Sequence, residues 1–560
     1  MAPESLYSKK PWLKQYDPGV PATIDYREIP LHRMFENTVK EFPGKTALIF
    51  EGYTISFSDL SDMVDRFAAC LASFGIKKGD PVAILLPNMI QAVAAYYATL
   101  KLGGIVVMNN PLYSDRELEH QFNDSGAKVL VCIDLLANRM IDLRPKTGIT
   151  QIIVASIGDY LPFPKSLLFP LVAKKKGLAA DVKTAPDVYR WKECIKNHAP
   201  SPPEVSVAFD DIAVYQYTGG TTGVSKGAEL THRNLGCMVQ MYEKWFGAGR
   251  GEETAMASPP IFHVLGMSAA MNLPIYMGWT TVLVPKPQAP QLLAAIRKHR
   301  PTMSPLVPTM YIGMLEDPGL DKTDLTCFKL ITSGGASLPV EILNEFKKLT
   351  GVEINEGFGM TETSPQTHLN PFNGKKKAGS IGIPYPDTEV RVVDLETGEK
   401  DVPVGEPGEM LFRGPQVTRG YHNRPDETAR SITADGWLKS GDIAYMDEEG
   451  YFFVVDRKKD LIISSGYNIY PKEIEEVFYQ NPAISKCAVI GVPHPKRGES
   501  IRAYIVLKDG ARATAEELME YCKPGLAKYK WPAEIEIRDA LPESNVGKIL
   551  KKELRKEITG

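Results

Sequence analysis

An apolar run, IAVYQY at 212–217, leads directly into TGGTTGVSKG at 218–227. The first reads as a buried strand, short and rich in branched and aromatic residues. The second gathers four glycines, threonine and serine hydroxyls and a single lysine. Glycine lets backbone amides close around an anion without side-chain obstruction. The hydroxyls add donors, and Lys226 adds a mobile positive charge. A strand that delivers such a loop makes a cradle for a polyphosphate. The spacing is neither G-x-x-x-x-G-K-[ST] nor the kinase G-x-G-x-x-G. A flexible linker is the other reading, but linkers rarely follow a buried strand.

The flanking sequence sets the fold class. TALIF (46–50), PVAILLP (81–87) and GIVVMNN (104–110) read as buried strands. SDLSDMVDRFAACLASFG (58–75) reads as a helix with a Gly stop. Such alternation predicts a parallel sheet covered by helices, and it resumes over 280–357. VRVVD (390–394) and GEMLFRG (408–414), among Gly/Pro turns, predict short antiparallel strands. A boundary falls near 454–462. Beyond it a helix (471–480), two strands (486–492 and 502–507), a helix (515–523) and a polar tail are expected. That makes a compact α+β unit of about 100 residues.

QYTGGTTGVSKGAELTHRN at 216–234 resembles the phosphate-binding signature of adenylate-forming enzymes, with wording closest to bacterial fatty acid–CoA ligases. The similarity runs from PWLKQY (11–16) to NVGKILKKELR (545–555), and further motifs follow in the family's order. The resemblance implies an α/β protein. A large N-terminal domain of helix-covered sheets with a small β-barrel-like subdomain would occupy 1–455. A hinge would lie at 456–460, pivoting on Lys459, and a small mobile α+β lid at 461–560. Thr218, Gly219, Gly220, Thr221, Thr222, Gly223 and Lys226 would hold ATP phosphates.

The same resemblance assigns the other motifs. In EGFGMTE (356–362), Glu356, Gly357, Phe358 and Gly359 would flank the nucleotide, with Phe358 stacked on adenine. Thr361 would meet the α-phosphate and Glu362 would hold Mg²⁺, which suits one carboxylate plus phosphate oxygens and water. The family more often has tyrosine at the Phe358 position. In TSGGASLP (332–339), Gly334, Gly335 and Ala336 would lie beside the base and the acyl pocket. Asp442 would accept both ribose hydroxyls, assisted by Arg457. His263, in PPIFHVLGM (259–267), would stand between acyl pocket and CoA. Gly466 would line the pantetheine tunnel, with Pro471 in the first turn of the next helix. Lys548 would be the adenylation lysine.

Each motif also has a plainer reading. Thr361 can cap a helix, Ser337 can cap the turn after 334–336, and His263 can be a core histidine. Met256, Met267, Met271, Met277, Met303, Met310 and Met314 fit either an adaptable apolar pocket or ordinary packing. The implied activity is ATP-dependent ligation of a carboxylate, most simply a fatty acid, to coenzyme A through acyl-AMP. The alternatives are an alicyclic or aromatic acid, or loading of a carrier protein.

A net charge of −3 over 560 residues argues against nucleic acid as partner. The seven cysteines are scattered with no C-x-x-C, so neither zinc nor a disulfide framework is suggested. The opening MAPESLYSKKPW has no apolar h-region, and no apolar run is long enough to span a bilayer. A cytoplasmic protein is expected. LPFPKSLLFPLVAKKK at 161–176 stands apart. It reads either as a connector helix with a solvated lysine end, the commoner arrangement, or as a weak contact with the inner face of an anionic membrane.

Overall fold

The computed structural model describes residues 6–173, 177–218, 225–464, 467–495, 497–544 and 549–559. Strands of the first part assemble in the order Val188–Arg190, Gln151–Ala155, Val129–Ile133, Pro81–Leu85, Ile105–Met108, Ile212–Thr218 and Lys226–Thr231. All neighbours are parallel except the last pair. Parallel strands need crossovers, and the helices Ile90–Lys101, Asp115–Ser125 and Asp134–Leu143 supply them. Asp115–Ser125 starts at a capping box of Ser114 and Glu117 and stops at Gly126, whose φ is +72°. Ile90–Lys101 is buried on every side from Ile90 to Leu100, so its apolar residues circle the helix.

A second sheet runs Ile383–Pro384, Gln366–Leu369, Asn355–Gly359, Leu330–Ser333, Met303–Leu306, Thr254–Ala257, Thr280–Leu283, Thr46–Phe50 and Tyr53–Ser56. The helix Phe57–Ser73 follows it, capped by Ser56, whose Oγ accepts the Asp59 N–H at 3.0 Å. Its buried Phe57, Leu60, Val64, Phe67 and Leu71 follow the helical period. One continuous apolar core, from Tyr7 to Phe452, joins the two sheets. The expected compact β portion is a four-stranded antiparallel meander of Glu389–Val393, Gly408–Arg413, Leu438–Met446 and Phe452–Arg457.

Residues from 462 onward build cores of their own. Ile462, Ile474, Phe478, Val489, Ile505 and Leu518 belong to one that shares no residue with the first. The expected polar tail is corrected here. Residues Lys551–Thr559 form a helix, and Leu554 is fully buried against Ala488, Ile490, Tyr504 and Leu541. One buried leucine among charges leaves too sparse an apolar period to read.

Three buried histidines weaken the fold in acid. Burial holds His32 down at about 4, and His232 and His368 down at about 3. Below pH 6.5 the unfolded chain protonates these rings while the folded chain does not, so stability falls as pH drops toward 4. Glu356 acts with the opposite sign, since burial raises it to about 7. Its folded carboxyl keeps a proton that the unfolded one releases above about 4.5, so its contribution weakens as pH rises. Burial also raises Glu362, Asp65, Asp134, Asp159 and Glu476, which act in the same sense as Glu356. The share of the rings is therefore read from the rings themselves: of the nine histidines, three are expected to stay neutral in an NMR titration from pH 7 to pH 5. Nine imidazoles all titrating near the usual value would mean the rings charge in place.

Candidate active site

Strand Ile212–Thr218 pairs antiparallel with Lys226–Thr231, and Thr218 stands opposite Lys226. These two strands form an antiparallel pair that is buried along most of its length. Gly219, Gly220, Thr221, Thr222 and Gly223 lie outside the described residues, as do Gly466 and Lys548. At the end of this pair the Lys226 ammonium is ion-paired with Glu427 and sits 5.6 Å from the Tyr421 ring centre. The Tyr421 hydroxyl donates to Glu362 Oε1 at 2.7 Å. Backbone contacts fix this arrangement. The His422 N–H donates to Gly227 O at 2.8 Å, and the Thr418 N–H to Glu362 O at 2.7 Å.

Glu362 is buried, which raises its carboxyl above the usual range. The Tyr421 hydroxyl, its own backbone N–H, and the charges of Arg457 and Lys226 work against that rise. Arg457 is cross-strand partner to Asp442, with Nε 3.4 Å from Oδ1. Lys226, Glu362, Asp442 and Arg457, drawn from four separate motifs, therefore gather around one place. Lys459 lies two residues past Arg457, in the exposed part of the turn Lys458–Asp460.

The strand Asn355–Gly359 lies parallel to Leu330–Ser333, with Ser333 opposite Glu356. Gly334, Gly335 and Ala336 leave that neighbouring strand, and Gly335 has φ +82°. Ser337 is not a helix cap, because the helix Val340–Thr350 starts after Pro339. Nor does Thr361 cap its turn; Met360 holds that position, with Thr363 Oγ1 accepting its N–H at 3.0 Å. Phe358 is half-buried, 6.0 Å from the Phe412 ring. A Cβ on Gly357 would lie 2.8 Å from the Leu369 side chain, and one on Gly359 would lie 1.8 Å from Pro365 O. Both glycines thus have a packing reason as well as a proposed ligand. Glu356 is opposed in its upward shift by the charge of Lys472 and by the backbone N–H groups of Gly379 and Leu338.

His263 sits in the turn before the π-helix Gly266–Asn272, a geometry frequent at functional sites. Its Nδ1 accepts the Leu265 N–H at 3.3 Å. Gln216, inside the strand Ile212–Thr218, donates to Phe262 O at 3.0 Å and ties this turn to the strand pair. Asn88 clamps the turn from the other side, donating to Ala257 O and Pro259 O and accepting the Ile261 N–H. The seven methionines are all buried in the main core, so packing accounts for them. Met310 also lines a pocket of about 390 Å³ with Pro260, Gln288, Ala289, Val307 and Thr309.

Residues 35–422 match the family described as AMP-binding enzyme, and 473–548 match the AMP-binding enzyme C-terminal domain. This chain belongs to the AMP-binding enzyme family. This AMP-binding enzyme is 43% identical over 558 residues to a long-chain-fatty-acid–CoA ligase of Bacillus subtilis (strain 168), covering 99% of each chain. It is 38% identical over 558 residues to one of Escherichia coli O6:H1, again covering 99% of each. The solved structure of an anthranilate CoA ligase in complex with anthranoyl-AMP matches with a TM-score of 0.85 at 25% identity, covering 95% of this chain and 98% of that one.

Within this AMP-binding enzyme, sequence reasoning missed Tyr421, Glu427, Gln216 and Asn88. Tyr421 and Glu427 lie in RGYHNRPDETAR (419–430), where nothing local ties them to residues far away in the chain. Among the described residues no group of three or more His, Cys, Asp or Glu could hold a metal. Glu362 offers a single carboxylate, which suits magnesium bound chiefly through phosphate oxygens and water.

Proposed function

We propose that this AMP-binding enzyme joins a long-chain fatty acid to coenzyme A through an acyl-adenylate. The convergence of Lys226, Glu362, Asp442 and Arg457 carries the reading, supported by full-length likeness to the two ligases named above. In the first step a carboxylate oxygen bonds to the α-phosphorus of ATP as the bond to pyrophosphate breaks. In the second the CoA thiolate attacks the acyl carbon and AMP departs. Positioning and charge neutralisation supply most of the acceleration in such displacements.

The amides of the glycine-rich loop and Lys226 hold the β- and γ-phosphates, with Lys226 exchanging Glu427 for phosphate. Asp442 takes the ribose hydroxyls while Arg457 steadies it. Phe358 stacks on adenine beside Gly334, Gly335 and Ala336, and Thr361 meets the α-phosphate. Tyr421 keeps Glu362 turned toward the phosphates. Magnesium, held by Glu362, would supply positive charge against the triphosphate. His263 borders the acyl chain, which enters beside Pro260, Val307 and Met310. Residues 461–560 act as a lid that turns about 456–460 at Lys459. Lys548 serves the first step, and Gly466 lines the thiol path in the second.

An aromatic acid is the second reading, favoured by the anthranilate enzyme's fold. A carboxylate panel assayed for AMP and pyrophosphate separates the two. Turnover of long straight chains above all others is the expected result, and preference for benzoates would overturn the fatty-acid assignment. Absence of AMP with every acid would overturn the ligase reading itself. Glu362→Gln is expected to raise the magnesium concentration needed for half-maximal pyrophosphate release about tenfold or more, as loss of a charged metal ligand should. An unchanged magnesium profile would make Glu362 purely structural.

A further inference from the structure

His263 stands in a turn that two side-chain amides from the other sheet hold in place. The turn, 258–265, leaves the strand Thr254–Ala257 of the second sheet. Gln216 and Asn88 belong to the first sheet. Gln216 lies in the strand Ile212–Thr218, and Asn88 in the connection from Pro81–Leu85 to Ile90–Lys101. The two sheets therefore meet at His263, and the amides cross the seam. Asn88 fixes the front of the turn through main-chain groups of Ala257, Pro259 and Ile261. Gln216 holds its far end, with Nε2 donating at 3.0 Å to the carbonyl of Phe262, the residue before His263. Behind the turn there is no slack, since a Cβ on Gly266 would lie 2.2 Å from Pro260 O.

Gln216 is an odd residue for its place unless this contact matters. Its backbone is fixed from both sides, opposite Met108 in one neighbouring strand and Ala228 in the other. The residue is buried, and its Oε1 has no hydrogen-bond partner. An unpaired buried acceptor costs free energy, so packing alone would favour an apolar side chain of the same shape. Phe262 O can only accept, which fixes the amide with Nε2 toward it. An unsatisfied group of this kind asks for a functional reason. Thr218, two residues along the same strand, opens the glycine-rich run. The strand that leads into that run thus also sets where the His263 turn sits.

We propose that Gln216 is a positioning residue for the thioester step, acting through His263. The inference rests on the two-step ligation proposed above and on the place given there to His263, beside the acyl group. The thiolate must reach the acyl carbon along a defined line, and a displacement of about 1 Å can cost about a hundredfold in rate. A strand held on both sides, with one hydrogen bond to the turn, keeps that wall of the acyl site in place. Attack on the α-phosphorus depends instead on charged groups from other motifs, gathered around Glu362. Loss of the Gln216 amide is therefore felt chiefly in the second step.

Rapid-quench kinetics of the full chain separate the steps. Pyrophosphate release with dodecanoate and ATP reports the first, and dodecanoyl-CoA made from supplied dodecanoyl-adenylate and CoA reports the second. Both are read in one preparation, so any unfolded fraction cancels in their ratio. Gln216→Met keeps the length of the side chain and removes the donor. It is expected to slow the second step about tenfold or more beyond its effect on the first. Gln216→Glu gives a readout that lost packing cannot. Burial favours the protonated carboxyl, whose O–H donates to Phe262 O, whereas the carboxylate repels that carbonyl. Its ratio of second to first step, taken relative to the parent at each pH, should fall from pH 6 to pH 8. Equal losses in both steps for Gln216→Met, or a Gln216→Glu ratio that follows the parent across pH, would overturn the proposal. His263→Ala keeps the two readings apart. A parent-like second step in that variant would remove His263 from its place beside the acyl group, and the proposal with it. A slowed second step there, beside an unselective Gln216→Met, would overturn the proposal alone.

Discussion

Replacing Lys548 with alanine is expected to slow acyl-adenylate formation about a hundredfold or more, as for loss of one donor to developing transition-state charge. Thioester formation from supplied acyl-adenylate should largely survive. The asymmetry follows from the proposed division of labour, in which Lys548 attends the phosphate chemistry and the lid then presents Gly466 instead. A lysine suits a group that arrives and leaves, being a compact charge on a flexible stem. Pyrophosphate release measures the first step, and acyl-CoA made from added acyl-adenylate measures the second. Equal losses in both would remove Lys548 from the adenylation role.

Gly359→Ala should damage both steps together, through the fold. The new Cβ would fall 1.8 Å from Pro365 O and 2.6 Å from Gln366 Cα, all of it backbone with no flexible side chain to yield. The strand Asn355–Gly359 must then part from Gln366–Leu369, with which it pairs through Gly357, Phe358 and Gly359. Phe358 and Glu362, on either side of the break, lose their positions. A destabilisation beyond about 4 kcal/mol is expected, in the range that marks severe packing conflict. Gly44 is the control: a Cβ there meets nothing within 4 Å, so Gly44→Ala should stay within about 0.5 kcal/mol of the parent. Denaturant unfolding measures both, and similar midpoints for the two variants would show that the strands can yield.

Much of the architecture was legible because its causes are local. Apolar period and glycine punctuation locate the strand Ile212–Thr218 and the helix Phe57–Ser73, and each is set by residues within a few positions of itself. Where the local signal was thin, reading failed. The helix Lys551–Thr559 buries Leu554 amid charges, and the alternative reading of Ser337 and Thr361 as caps gives way to Pro339 and Met360. In both turns the chain enters its helix or 3₁₀ turn at a different residue from the one that hydroxyl preference suggests.

By itself the sequence determined the chemistry on offer: a glycine-rich loop behind a strand, a lysine to follow it, and carboxylates in turns farther on. Such features depend on residue type and near-neighbour spacing. Tertiary structure alone decided which of them meet. Lys226 pairs with Glu427, 201 positions away, and Glu362 is held by Tyr421, 59 positions away. Gln216 binds the turn that holds His263 to the strand Ile212–Thr218. These contacts arise where two independently built sheets and a meander close on a shared core. Packing across that core, which no local pattern encodes, fixes the partners and sets the burial that raises the Glu362 carboxyl.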